Sequence, residues 1–361
     1  MFFLRKGIAS KLFIVGGVLF FTWEWSVKGQ MIATSLPLKR GLAKIPFISP
    51  YNMPHYSIAQ PREALIIKKF CTNIKQVFKR YGWYGDPCGG VQWRADLKTV
   101  AGHPLIYASF GSGKDTTLFM GGVHPDELTP IHLSFRFARY LQSHPDVYIK
   151  HGIKVIIAPI VNPDGFLQKY PLRTNRIVDV NRNFFTLDWY EKAGKSWRGR
   201  RNGVARYFPG YFPNTEVETL FQVKLIDKFK PDKIFSVHAP LGFLDYDGPG
   251  DQKPVHLSRI EKKAKQFVYA VSKKTRNYRV VDYSFYPGSL GNYAGNERNL
   301  PTITLELKTT EPSKVEEYWL KFLPGFLQSV HYPFRKNHSK VNDNATRFFS
   351  IYDQIYLENQ G

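Results

Sequence analysis

Short apolar runs alternate along the chain with longer stretches in which apolar residues return every three or four positions. Pro104–Phe110, Thr116–Met120, Lys154–Pro159 and Asp232–Val237 each have the length of one strand and are rich in β-branched and aromatic residues. Over Pro61–Tyr81, the residues Leu65, Ile66, Phe70, Ile74, Val77 and Phe78 share one helical face, and Leu128–Leu141 and Phe221–Phe229 have helical length and spacing. Strands alternating with helices predict the α/β class: a mixed, largely parallel central sheet flanked by helices, in a single catalytic domain. No internal repeat is present. In open sheets of this kind, ligands bind beyond the carboxyl ends of the strands. The polar stretches GGVHPDE (121–127), APIVNPDG (158–165), SVHAP (236–240) and TLEL (304–307) all end or follow an apolar run. They therefore predict one site on one edge of one sheet.

Charge and the N-terminus add an environment. The 361 residues carry 51 Lys and Arg against 29 Asp and Glu, a formal net charge of +22. Such an excess favours anionic surroundings: nucleic acid, a membrane surface or an acidic wall polymer, or else it is simply a well-solvated basic surface. No zinc finger, RNP pattern or basic zipper occurs, so no nucleic-acid partner is expected. Arg5, Lys6 and Lys11 precede the uncharged run Leu12–Trp23, and Ala33-Thr34-Ser35 is a small-x-small site. Residues 1–35 thus read as an export signal or an uncleaved anchor, placing the protein in the cell envelope or periplasm, with membrane association if the segment is retained. Residues 36–94 read as a linker and N-terminal extension, 95–334 as the catalytic domain, and 335–361 as a polar tail. The two cysteines, Cys71 and Cys88, leave one disulfide and two free thiols equally open.

His124 and Glu127 have a spacing that suits metal binding, but Asp126 and Glu127 also suit the first turn of a helix through its dipole. His238, after another apolar run, supplies a second imidazole. Two nitrogens and one carboxylate leave a coordination position open on zinc, which is what hydrolytic chemistry requires. His132 falls inside a helical pattern and is expected to pack. The run Lys192–Arg206 (KAGKSWRGRRNGVAR) holds six basic residues and no acid. It reads as a solvated loop or as a contact to an anionic polymer.

The order HPDE (124–127), NPDG (162–165), DVNRNF (179–184), SVHAP and TLEL resembles the zinc carboxypeptidase family across roughly residues 95–330. The resemblance implies one Zn2+ per chain held by His124, Glu127 and His238, with Glu306 as the catalytic glutamate. It further implies that Asn181 and Arg182 grip the terminal carboxylate of the substrate and that Arg173 polarises the scissile carbonyl. Asp179 would support His124 from behind. NPDG is a turn in its own right and is assigned scaffolding. The tyrosine that this family holds ahead of its glutamate has three candidates here, Tyr283, Tyr286 and Tyr293. The stretches His238–Gly250 and Phe285–Leu307 resemble bacterial murein peptide amidases and DL-carboxypeptidases, which cleave γ-D-glutamyl–diaminopimelate bonds in peptidoglycan peptides. On that reading, Asp245 and Asp247 meet an ammonium group, or else cap a turn. Two other functions remain open: a zinc deacylase of small N-acyl amino acids, and a non-catalytic wall-binding protein that retains the fold.

Overall fold

The computed structural model describes residues 60–168, 178–250 and 255–334, with residues 14–15 and 18–19 before them. The chain divides into two units, 1–51 and 52–361. In the first, Ile14–Val15 pairs antiparallel with Val18–Leu19. The rest of the segment read as signal or anchor lies outside the described residues, as do Arg173 and the tail 335–361. Among the described residues, no helix is long and apolar enough to cross a membrane.

In the second unit, eight strands form one mixed sheet. They are β1 (Arg94–Lys98), β2 (Pro104–Phe110), β3 (Asp115–Gly121), β4 (Ile153–Ala158), β5 (Lys233–His238), β6 (Phe243–Tyr246), β7 (Val280–Val281) and β8 (Thr302–Glu306). Their order across the sheet is β1-β2-β4-β3-β5-β8-β6-β7. The central pairs β4–β3, β3–β5 and β5–β8 are parallel, whereas β1–β2, β2–β4 and β8–β6 are antiparallel. The long helices are α1 (Gln60–Arg80), α2 (Leu128–Ser143), α3 (Val217–Phe229), α4 (Val255–Lys274) and α5 (Val315–His331).

Alternation along the strands sorts their side chains into two cores, because successive residues point to opposite faces. Phe119, Val155, Phe235, Ile303 and Leu305 pack with Phe70 of α1, Phe137 of α2, Phe267 of α4 and Phe326 of α5. The intervening residues Leu118, Met120, Ile156 and Ile234 pack with Phe221 and Leu225 of α3, with Phe184 and with Tyr293. Phe119 anchors the first core: its ring lies 5.0 Å from Phe137, 5.4 Å from Phe235 and 5.1 Å from Phe326. Truncating such a side chain costs about 3–5 kcal/mol. The second face is covered by one long helix and several loops. That lighter cover leaves room there for a site.

Cys71 and Cys88 are bridged, with Cα atoms 5.9 Å apart, tying α1 to the loop before β1. Four strands and three helices match the apolar pattern to within a few residues. The apolar pattern as read assigns no element to the edge strands β1 and β7, to the short strand β6, or to the helices α4 and α5. Pro324 lies inside α5, where a proline ordinarily ends a helix.

Candidate metal centre

The question raised by His124 and Glu127 is settled by where Glu127 points. It occupies the position preceding α2, yet its side chain makes no capping bond to that helix. Instead, Glu127 Oε1 lies 2.8 Å from His124 Nδ1 and its Oε2 lies 3.1 Å from His238 Nδ1. All three side chains are buried. His238 ends β5, and two glycines deliver the other two. A Cβ on Gly121 would sit 2.1 Å from Ser134 Oγ, so the end of β3 packs directly on α2. Gly122 then turns the chain at φ +61°, a conformation that side chains rarely adopt. The Gly121 and Gly122 carbonyls accept bonds from Val161 and Asn162 N–H, which join this loop to the NPDG turn.

One donor atom from each of His124, Glu127 and His238 can be chosen so that all lie within 4.8 Å of one another. The outer nitrogens are committed elsewhere. His124 Nε2 lies 3.0 Å from Asp179 Oδ1, and His238 Nε2 lies 3.0 Å from Ser236 Oγ. Both Nδ1 atoms therefore face the shared centre, 3.2 Å apart. A converging set of two imidazole nitrogens and a carboxylate, with the far nitrogens oriented by partners, fits a zinc ion with an open position. Burial alone would raise the Glu127 pKa. The flanking imidazoles outweigh it and hold the carboxyl well below the ordinary range.

Glu306 ends β8, in register with His238 on the parallel neighbour β5. Its Oε2 accepts a long bond, 3.4 Å, from Leu241 N–H. Burial and the nearby Glu127 carboxylate push its pKa up to about 7, against the pull of His238 and His124.

Asn181 and Arg182 lie in a short turn that Asp179 begins by accepting the Asn181 N–H at 3.0 Å. Asn181 Oδ1 accepts from Leu290 N–H at 2.8 Å, which leaves its side-chain N–H donors as what it can offer a carboxylate. The Arg182 guanidinium lies 4.4 Å over the Tyr286 ring, and Arg201 donates to the Tyr286 hydroxyl at 3.0 Å. Of the three tyrosines, Tyr286 is thus occupied by arginines and Tyr293 is buried against Phe184. Tyr283 is half exposed, with its ring 5.2 Å from Phe243, the residue paired with Glu306 across β6.

Asp245 lies on β6 opposite Thr304 and so faces the same side as Glu306, and Asp247 follows directly after the strand. Asp247 accepts from Thr304 Oγ1. Burial raises it to about 6 while Thr304, His238 and Arg182 pull it down. Asp245, raised to about 8 by burial and then by Asp247, accepts from Tyr283 N–H at 3.2 Å. The NPDG turn is scaffolding: Asn162 Oδ1 caps Gly165 N–H, and Asp164 ties together Thr99, Ala101 N–H and His103. His132 packs, its ring 4.7 Å from Trp83 and 5.4 Å from Phe78. Ser236 is the site residue that the motifs did not flag. It lies two positions before His238, inside an apolar strand, with no spacing of its own to distinguish it.

The basic run 192–206 folds against this site. A π-helical turn (Trp189–Ala193) leads into a helix (Gly194–Arg200) and a 3-10 turn (Ala205–Tyr207). Trp189 Nε1 donates to the Arg182 carbonyl at 2.9 Å, and Asp179 N–H donates to the Phe208 carbonyl at 2.7 Å. Arg206 pairs at 3.0 Å with Asp126, which stands between two of the metal-facing residues.

Residues 97–339 match the sequence model of the family described as Zinc carboxypeptidase (Peptidase_M14). No curated protein matches the chain significantly. Among solved structures, bovine thrombin-activatable fibrinolysis inhibitor aligns at 17% identity and TM-score 0.52, covering 78% of this chain and 97% of that one. Carboxypeptidase A from Helicoverpa armigera aligns at 16% identity and TM-score 0.53, over 72% and 71% of the two chains. The murein-tripeptide amidase MpaA from Escherichia coli O157 aligns at 20% identity and TM-score 0.46, over 70% and 95%. The first two share their fold with this chain.

Proposed function

The chain belongs to the zinc carboxypeptidase family, and from that premise we propose that it removes the terminal residue of peptidoglycan stem peptides at a γ-D-Glu–diaminopimelate bond. The observation that carries this reading is the His124–Glu127–His238 cluster with Glu306 one strand away and the Asn181–Arg182 turn joined to His124 through Asp179. A zinc ion held by His124, Glu127 and His238 would supply Lewis acidity for hydrolysis near neutral pH. Glu306 is placed to take a proton from an attacking water and return it to the leaving amine. Asn181 and Arg182 fix the free terminal carboxylate through N–H donors, which restricts the enzyme to chain ends. Asp179 and Ser236 keep the two imidazoles in the tautomer that turns Nδ1 inward.

The diamino acid is favoured by Asp245 on β6 and Asp247 just after it. Asp245 pairs with Thr304 and Asp247 accepts from the Thr304 hydroxyl, two residues before Glu306, where an ammonium group would relieve the repulsion between the two acids. An exported setting is supported by the basic and then apolar N-terminus and by the Cys71–Cys88 bridge, since structural disulfides persist in oxidising compartments. A muropeptide ending in γ-D-Glu–diaminopimelate tests the reading, with mass spectrometry following release of the terminal residue. Release that requires both zinc and Glu306 is expected. Hydrolysis of N-acyl amino acids alone would move the assignment to a deacylase.

A further inference from the structure

The arm Trp189–Phe212 is docked on the catalytic residues from one side and bare on the other. Its inner contacts are the bonds to Arg182, Asp179, Asp126 and Tyr286 already described, and Trp197 braces it internally through the Val204 carbonyl at 2.9 Å and the Phe208 ring at 4.8 Å. Lys195 and Arg198 are exposed with no acidic partner among the described residues, while Arg200, also exposed, reaches to 5.8 Å over the Tyr286 ring. On the same arm, Tyr190, Tyr211 and Phe212 are 68%, 84% and 62% exposed. Cations close together on a short segment repel one another, and large rings in water forgo burial. Both costs are relieved together by a ligand that is anionic and offers flat apolar faces.

We propose that this arm is a docking surface for the wall polymer whose peptide enters the site. The proposal rests on the substrate reading above. Pyranose rings of the glycan lie against Tyr190, Tyr211 and Phe212, while carboxylates of neighbouring stem peptides meet Lys195 and Arg198 as charge-assisted pairs. Because the arm is bonded to Arg182, Asp179 and Asp126, a strand held on it presents its peptides at the mouth of the site. The arm thus raises the local concentration of substrate without touching the scissile bond.

The test uses the full chain in its Glu306→Gln form, co-sedimented with purified, protein-free wall sacculi. Lys195→Ala/Arg198→Ala is compared with Lys273→Ala/Lys274→Ala, which removes the same charge from α4. Retention should fall roughly tenfold for the arm variant and stay unchanged for the control. In the active enzyme, the arm variant should hydrolyse a glycan-free stem tripeptide within about twofold of the unaltered chain, as expected of exposed side chains away from the chemistry. Equal retention of both variants overturns the proposal, and so does tighter binding to single-stranded DNA than to sacculi. If the unaltered enzyme cleaves no wall peptide yet sediments through the arm, the substrate reading fails and the docking surface stands. Should the arm variant not fold, retention of the unaltered chain that survives high salt overturns the electrostatic account.

Discussion

Asp179 is bonded to both halves of the site: its Oδ1 lies 3.0 Å from His124 Nε2 and accepts the Asn181 N–H at the same distance. One carboxylate oxygen therefore orients a metal-facing imidazole and begins the turn that carries the carboxylate-binding pair. Asp179→Asn should weaken zinc binding by about 10–100-fold and raise KM as well. Ser236→Ala, which loosens only His238, should weaken zinc without the KM change. Chelator competition and steady-state kinetics separate the two.

Glu306→Gln should lower kcat by about 10²–10⁴-fold, the span ordinarily attributed to a positioned acid–base group. Zinc content should stay at one per chain, read by elemental analysis. Loss of zinc with activity would place Glu306 among the ligands instead.

Gly288→Ala places a methyl group 2.1 Å from the Arg182 carbonyl, at a φ of +74°. The strain should cost on the order of 1–3 kcal/mol. Displacement of Arg182 should appear as a raised KM for peptides with a free terminus. A lower unfolding midpoint with an unchanged KM would show that Arg182 does not depend on this contact.

Burial first, then Arg136 and Arg139, push His132 from its ordinary 6.5 down to about 3. Between those values, a falling pH protonates the unfolded chain while the folded chain refuses the proton, so stability declines through that window. His132→Phe should flatten the decline. Denaturant midpoints measured across the window for both proteins check it, and parallel curves would exclude His132 as the cause.

The Cys71–Cys88 bridge closes a loop with a sequence separation of 17. Replacing both cysteines by alanine should remove about 3 kcal/mol of stability. Activity at low temperature should persist, because the bridge lies on α1 and not among the site residues. Equilibrium unfolding with and without reductant measures the difference.

The central strands and the metal-facing residues were legible because each rests on a strong local signal. Buried parallel strands read as continuous apolar runs, and His124, Glu127, His238 and Glu306 each stand where such a run stops. The strand β6 left little trace: only four residues long, it alternates Phe243 and Asp245 with Leu244 and Tyr246 and resembles a loop. Ser236 was hidden for the opposite reason, since one small hydroxyl in a buried strand looks like filler. Pro324 masked α5. The basic run could not be placed from sequence, because its inner partners, Asp126, Tyr286 and Arg182, are scattered along the chain.

His238 and Glu306 are rungs of the same ladder. Their spacing is therefore set by backbone hydrogen bonding, with strands about 4.8 Å apart, and not by the loops that follow. Loops at that edge can lengthen, shorten or exchange sequence while the distance between the two groups is conserved. The arm is an attachment of that kind. A designer seeking a new specificity would graft there and leave the ruler alone.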